Sequence, residues 1–197
     1  MKTEYEYKCT LSILMENQPI ILPRITALLI RRGFKVDSLT IGSTEIEKTS
    51  RVILTLSGNM RIIDQVTRQL YKLLPVLKIQ NLTHVPSIQR ELILFKILST
   101  STERSKILEI ATFFRAKILD FADKVLTLEV TGDSEKIIAL EQLIKKFGIL
   151  ELVRTGKIAV SRESITNGQV FVKSKEIRRR KILNSYISEI ETKFYLR

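Results

Sequence analysis

The spacing of apolar residues changes along the chain in an order that occurs twice. From Lys8 to Leu14 every second residue is apolar, which is the pattern of a half-buried strand. From Ile21 to Leu29 apolar residues recur at helical spacing, and Gly33 follows two arginines, as is typical where a helix ends. Further strand patterns lie at 36–43, 51–57 and 76–82, with a second helical stripe at 62–74 that Pro75 ends. The predicted order is β-α-β-β-α-β.

The same order recurs after a short linker at 83–87. Asp133 or Ser134 is placed to cap the last helix, and Gly148 follows its end. The predicted strands lie at 92–99, 116–121, 125–131, 149–154 and 156–161, and the predicted helices at 107–114 and 137–147.

A βαββαβ unit is the ferredoxin-like arrangement, and right-handed crossovers place both of its helices on one face of a four-stranded antiparallel sheet. We therefore predict an α+β fold with two ferredoxin-like domains in tandem, at residues 1–83 and 84–165. A unit of about 80 residues has a marginal core. We therefore expect the unit to bury more surface by pairing with a second unit, in the same chain or in a second copy.

The remaining residues, 166–197, form a basic tail. The formal net charge of the chain is +12, and from residue 171 onward eight lysines and arginines outnumber three acids by five. Apolar residues at helical spacing predict a helix there, namely Leu183, Tyr186, Ile187, Ile190 and Phe194. Such a helix could pack on its own protein or dock on a partner.

Signals of chemistry are missing from the sequence. The seven glycines form no phosphate-binding motif, and the only histidine, His84, lies in the linker without a metal-binding or catalytic neighbour. Cys9 lies on the apolar side of a predicted strand, where we expect a buried thiol. We therefore expect neither an enzyme nor a metalloprotein.

Nucleic acid and membranes are equally poor candidates as partners. The first predicted sheet lacks the interleaved aromatic residues of an RNA-recognition module, so the basic charge predicts nonspecific adhesion at most. No apolar run approaches the roughly 20 residues that span a bilayer. The first residues resemble neither a signal peptide nor a transit peptide, so we expect the protein to act in the compartment where it is made.

The turn at 16–20 joins the first strand to the first helix. Unpaired N–H groups at a helix N-terminus bind anions, and an amino-acid carboxylate fits such a site. Asn17 can donate to a carboxylate or accept from an ammonium group. The alternative is that Asn17 only caps the helix and nothing binds.

Several segments together resemble the small, regulatory subunit of acetolactate synthase, also called acetohydroxyacid synthase. The resemblance covers residues 5–163, in order and with matching spacing. In the first half it rests on Glu-Asn-Gln-Pro at 16–19, Arg24, Arg-Arg-Gly-Phe at 31–34, and the segments 37–45, 50–52 and 69–79. In the second half it rests on 90–97 and 154–162.

The resemblance implies an N-terminal ACT domain, which is a ferredoxin-like amino-acid sensor, followed by a second ferredoxin-like domain. It implies a subunit without catalytic activity or cofactor of its own. Its partner is the catalytic large subunit, which uses thiamine diphosphate, Mg²⁺ and usually FAD to make acetolactate in branched-chain amino acid biosynthesis. Binding of the small subunit raises the activity of the large subunit and makes it sensitive to valine.

In that family valine binds where two ACT domains of a homodimer meet, at the strand-to-helix turn. Carried over to this chain, the effector-binding residues are Asn17, Pro19, Ile20, Ile21, Leu22, Lys35 and Val36.

Two of these positions depart from the family pattern. Ile20 stands where glycine is usual, and glycine allows positive φ or close approach of the backbone to the effector. Lys35 stands where asparagine is usual, and its flexible cation has a less fixed geometry. We therefore expect altered or weakened valine sensing, with binding of the large subunit retained.

An alternative function is an ACT-type amino-acid-binding module that regulates another enzyme or a transcription factor. The composition bears on location. Isoleucine, lysine and leucine are frequent, glycine and proline are few, and tryptophan is absent. This is typical of an AT-rich genome, and we expect a plastid-encoded protein of the plastid stroma, with a bacterial cytoplasm as the alternative.

Overall fold

The computed structural model describes residues 7–162 of the chain. The predicted basic tail at 166–197 lies outside the described residues. The described chain divides into two compact units, one at 7–86 together with 161–162 and the other at 87–160. Each unit consists of one antiparallel sheet with two α-helices, which confirms the predicted α+β class with tandem ferredoxin-like units.

The first unit has the order βαββαβ. Its strands are β1 (Tyr7–Glu16), β2 (Lys35–Ser43), β3 (Thr49–Gly58) and β4 (Val76–Asn81), and its helices are α1 (Ile21–Arg31) and α2 (Met60–Tyr71). The strands lie in the order β2-β3-β1-β4, so β2 and β4 are the edges. β1 pairs antiparallel with both of its neighbours.

The core of the first unit lies between its sheet and its helices. Alternate residues of β1 and β3 are buried there against one face of each helix. The buried side chains from α1 are Ile21, Ile25 and Leu29, and those from α2 are Ile63, Val66 and Leu70. Cys9 is a fully buried member of the same cluster, as predicted.

The second unit repeats this arrangement. Its strands are β5 (Ser87–Leu98), β6 (Lys117–Phe121), β7 (Val125–Gly132), β8 (Ile149–Arg154) and β9 (Ile158–Ser161), and its helices are α3 (Arg104–Phe113) and α4 (Ser134–Ile144). The order is β6-β7-β5-β8, and β9 also pairs with β5. Phe95 is the largest fully buried side chain of its core.

Local signals fix most of the helix ends. Asn59 and Asp133 cap α2 and α4 by accepting a hydrogen bond from the backbone N–H three residues on, each at 2.9 Å. After α1, Gly33 has a φ of +64°, and two hydrogen bonds, from Gly33 N–H to Ile30 O and from Phe34 N–H to Leu29 O, form a Schellman motif.

The second helical stripe was predicted too long. α2 ends at Tyr71, and its last turn is closed by a hydrogen bond from Leu73 N–H to Leu70 O at 3.1 Å. Leu74 is 82% exposed and does not join the core. Leu74 matches the helical spacing of apolar residues, but the helix ends three residues before it.

Within residues 7–162 no helix is long and apolar enough to cross a membrane.

Candidate effector site

The turn between β1 and α1 is held by backbone hydrogen bonds to two distant loops. Glu16 N–H donates to the carbonyl of Pro75 at 2.9 Å, and Asn17 N–H donates to the carbonyl of Lys48 at 2.8 Å. The side chain of Gln18 donates to the carboxylate of Glu16 at 2.9 Å. The turn is therefore positioned by the loops before β3 and before β4, and no periodicity in the sequence indicates those contacts.

The residue that caps α1 is Ile20, and it makes no side-chain cap hydrogen bond. The alternative that Asn17 caps this helix is therefore wrong. Asn17 lies three residues ahead of the cap with an exposed side chain, and no hydrogen bond among the described residues engages its amide. The amide remains available to a ligand.

Two backbone N–H groups at the N-terminus of α1 are available as hydrogen-bond donors. Ile21 N–H is already bonded to Gln18 O at 3.0 Å, and Pro19 and Pro23 have no N–H. Within the described part of the chain no hydrogen bond engages the N–H of Ile20 or of Leu22. Two N–H groups at the positive end of a helix suit one carboxylate.

Pro23 is the residue of this site that our sequence analysis overlooked. It stands in the first turn of α1, where it removes one of the donors that a helix start normally presents. A proline three residues after the cap is a signal that the sequence does contain, and it limits the anion site to Ile20 and Leu22.

The side chains at the mouth of α1 point in different directions. Ile20 is 52% exposed, whereas Ile21 is buried in the core of the unit. With its side chain buried and its N–H bonded to Gln18 O, Ile21 offers a ligand little. Ile20 has a φ of −81° and a ψ of −9°, which any L-residue adopts, so the turn has no need of glycine's positive φ here. Only the space taken by the Ile20 side chain distinguishes it from glycine.

Lys35 and Val36 lie at the other end of the same sheet. In the register of the sheet, Lys35 is opposite Ser57, whereas Ser43 at the far end of β2 is opposite Ser50, which also pairs with Met15 beside the turn. Eight strand steps separate the two ends of β2, which is about 25 Å. A single chain therefore does not bring Lys35 and Val36 together with the turn.

A cavity of the first unit lies elsewhere. It has a volume of about 1190 Å³ and is lined by residues of α2 and its C-terminal end together with one residue of β4, namely Arg61, Asp64, Gln65, Thr67, Arg68, Gln69, Tyr71, Lys72 and Ile79. None of the predicted effector-binding residues lines it. The turn is the better candidate for an effector, because it has two backbone N–H groups without an acceptor among the described residues and the exposed amide of Asn17.

Groups for other chemistry are scarce among the described residues. They contain no cluster of three or more metal-ligating side chains. Burial raises the pKa of the Cys9 thiol, against the hydrogen bond that Thr83 donates to its sulfur. Such a thiol is protonated and unreactive at neutral pH.

Comparisons with known proteins identify both units. A family model for the AHAS small subunit-like ACT domain matches residues 11–78, and one for the small subunit of acetolactate synthase matches residues 90–163. The chain is 41% identical over 157 residues to a probable acetolactate synthase small subunit of Methanothermobacter thermautotrophicus, covering 79% of this chain and 94% of that one.

Two further relatives extend the comparison to plants and to a solved structure. The chain is 44% identical over 155 residues to acetolactate synthase small subunit 2, chloroplastic, of Arabidopsis thaliana, and the match covers 79% of this chain but only 32% of the plant protein. The crystal structure of the acetolactate synthase small subunit of Thermotoga maritima superposes with a TM-score of 0.72 at 29% identity, covering 81% of this chain and 99% of that one.

Proposed function

This chain belongs to the family of acetolactate synthase small subunits, and we propose that it is the non-catalytic regulatory subunit of that enzyme. In this role it binds and activates a catalytic large subunit, which carries thiamine diphosphate, Mg²⁺ and FAD. It also transmits feedback control by valine or a related branched-chain amino acid. The observation that carries the proposal is that the two units match, in order, the two family models of these small subunits.

The effector site is proposed at the β1–α1 turn. The N–H groups of Ile20 and Leu22 bind the carboxylate of the effector, and the exposed amide of Asn17 accepts from its ammonium group. Pro19 fixes the entry of the chain into the helix. The exposed side chain of Ile20 fills space that an effector with a branched side chain would otherwise use.

A homodimer completes this site. β2 is an edge strand, and pairing it antiparallel with β2 of a second copy around a two-fold axis aligns the Lys35 end of one strand with the Ser43 end of the other. The Ser43 end lies next to the turn. Lys35 and Val36 of the second copy thereby reach the turn of the first, although 25 Å or so separates them within one chain.

Regulation then follows from linkage. An effector changes the activity of the large subunit only through different affinities for two states of the assembly. The affinity for a ligand that contacts both copies depends on small shifts of their interface. Such an interface can switch between two arrangements. We propose that Ile20 and Lys35 weaken or alter the valine response while activation is retained.

Reconstitution with the large subunit tests this function. The chain should raise acetolactate formation severalfold, with weak inhibition by millimolar valine. The double variant Ile20→Gly with Lys35→Asn should lower the valine concentration that gives half-inhibition by about tenfold, which corresponds to about 1.4 kcal/mol. A matched control is Leu74→Gly with Lys106→Asn, which replaces an exposed aliphatic residue and a lysine away from the turn.

Two results would count against the proposal. Failure of the wild-type chain to change large-subunit activity removes the regulatory role. Strong inhibition of the wild-type assembly by micromolar valine removes the role assigned to Ile20 and Lys35.

For location, the relatives include a chloroplast protein and archaeal and bacterial proteins. We propose the plastid stroma because the composition is typical of an AT-rich genome. Immunodetection in fractionated cells of the source organism tests this, and a signal outside plastids contradicts it.

A further inference from the structure

The outward face of α1 is unusual for a helix facing solvent. Its residues form what we name the outer stripe. An aliphatic row, Ile20, Pro23, Ala27 and Ile30, lies beside a basic row, Arg24 and Arg31. Steps of three or four residues in the aliphatic row, and of seven in the basic row, put each row on one line along the helix. All six residues are exposed, while the opposite face of α1 lies in the core.

The aliphatic row leaves large apolar surface in water. Ile30 is 78% exposed and Ile20 52%. Single exposed aliphatic residues are common, but a row along a whole helix marks an interaction surface. Burying such side chains against a partner is favourable in proportion to the area removed from water.

The basic row is not explained by the stability of the helix itself. Arg31 lies in the last turn, where a cation complements the helix dipole. Arg24 lies near the N-terminus, where a cation opposes the dipole. α1 also contains no acidic residue, unlike the other three described α-helices. A partner is the simplest source of compensating charge.

The equivalent helix of the second unit is an internal comparison. The exposed face of α3 carries Ser105, Lys106, Glu109 and Thr112, with both signs of charge and only a terminal Phe113 as a large apolar group. This is the ordinary face of a solvated helix. Two helices at the same position of the same topology therefore differ in what they present outward.

Charge decides among the possible occupants of the outer stripe. A second copy docked by its own stripe would bring arginines against arginines around a two-fold axis. The C-terminal tail of this chain is itself basic, with eight cations against three acids from residue 171 onward. Neither offers the two arginines a net excess of carboxylates.

We propose that the outer stripe docks the catalytic large subunit, on a surface with an aliphatic centre bordered by carboxylates. This inference rests on the proposed function and assigns its partner to one helix face. Ile20 belongs to the stripe and also caps the helix at the effector turn. An effector bound at the turn therefore contacts a residue that the large subunit also contacts, which couples the two sites directly.

Binding of the purified large subunit to full-length variants of this chain tests the stripe. Ile30→Asp and Arg24→Glu should each raise the dissociation constant about tenfold or more, as buried interface anchors do. The matched controls are Leu74→Asp, an equally exposed aliphatic of the first unit, and Arg61→Glu, a cation in the first turn of α2. Both controls should bind within about twofold of wild type.

Ile30 is ten residues from Ile20, about 15 Å along the helix, so its substitution spares the effector turn. Ile30→Ser is a milder second variant, and circular dichroism checks that each variant is folded. Binding of Ile30→Asp and Arg24→Glu within twofold of wild type, or equal losses in the two controls, overturns the inference and leaves the proposed function intact. A wild-type chain that does not bind the large subunit overturns both.

Discussion

The two strand-to-helix turns of the molecule occupy the same position in two units of the same topology, yet they are closed in different ways. At the β5–α3 turn the carbonyl of Thr100 accepts from two backbone N–H groups, and the Thr100 hydroxyl donates to the carboxylate of Glu103 at 2.6 Å. Arg104 adds hydrogen bonds to the carbonyls of Ala122 and Asp123, at 2.9 and 2.6 Å, and lies over the ring of Phe121.

The β1–α1 turn also has a side-chain hydrogen bond, from Gln18 to the carboxylate of Glu16, but the described residues place no arginine across it as Arg104 lies across the second turn. Two of its backbone bonds run outward to the carbonyls of Lys48 and Pro75, and the N–H groups of Ile20 and Leu22 find no acceptor among the described residues. The comparison teaches that topology sets where a turn lies, whereas a few side chains decide whether it can receive a ligand. At the β5–α3 turn, side chains of the protein itself take up the polar groups.

The largest effect on this contrast is expected from opening the second turn. Arg104→Ala removes hydrogen bonds to two carbonyls and a cation–π contact, and should lower the free energy of unfolding by about 2 kcal/mol. Urea denaturation measures it. Arg24→Ala is the control, because no described contact engages Arg24, and should change stability by less than about 0.5 kcal/mol. Equal effects of the two substitutions would show that Arg104 does not close the turn.

The ends of α1 and α3 provide a second contrast. Both helices end in a Schellman motif, but the residue at positive φ is Gly33 in the first unit and Arg115, at +52°, in the second. Gly33→Ala places a Cβ in a left-handed conformation and should destabilise by about 1 kcal/mol. The Cβ meets no other atom within 4 Å, so a larger loss would mean that packing, not the backbone, is responsible.

Arg115→Gly is the reciprocal change and should have a smaller effect. It relieves the left-handed strain but increases the entropy of the unfolded chain, so we expect a gain of at most about 0.5 kcal/mol. Thermal unfolding of the two variants in parallel provides the measurement. A loss of stability in Arg115→Gly would show that the arginine side chain has a role that the described contacts do not reveal.

The smallest effect concerns Cys9, which has no counterpart in the second unit. Because burial raises the pKa of this thiol, the folded state favours its protonated form, and the unfolded state loses the proton at lower pH. Its contribution to stability is therefore complete below the unfolded pKa and declines as pH rises above it. Cys9→Ala should flatten the alkaline fall in stability slightly. An unchanged slope would contradict the assignment.

The sequence predicted the order of the elements because the spacing of apolar residues reports which side of each strand or helix is buried. It also predicted the buried Cys9. It could not place the cap of α1 at Ile20, because that turn is fixed by the carbonyls of Lys48 and Pro75, which are distant in the chain. Nor could it show that Leu74 leaves the core, since an apolar residue at helical spacing gives the same signal whether or not the helix continues.

The predicted effector-binding residues show the same limit. Resemblance to a family gave both groups of positions, but only the strand register shows that Lys35 and Val36 lie at the far end of the sheet from the turn. Only a second copy of the chain can bring these two residues to the turn, and a single sequence does not show how two copies pair. The donors at Ile20 and Leu22 depend on backbone geometry and on Pro23, so residue type alone does not reveal them.

The most direct test of the account is a titration of the ¹⁵N-labelled chain with valine, leucine and isoleucine at millimolar concentrations, observed by amide resonances. The account predicts that the amides of Ile20 and Leu22 shift with ligand, while those at 100–104 in the closed second turn do not. Shifts at 100–104 instead, or unchanged amides at Ile20 and Leu22 with all three amino acids, would contradict it.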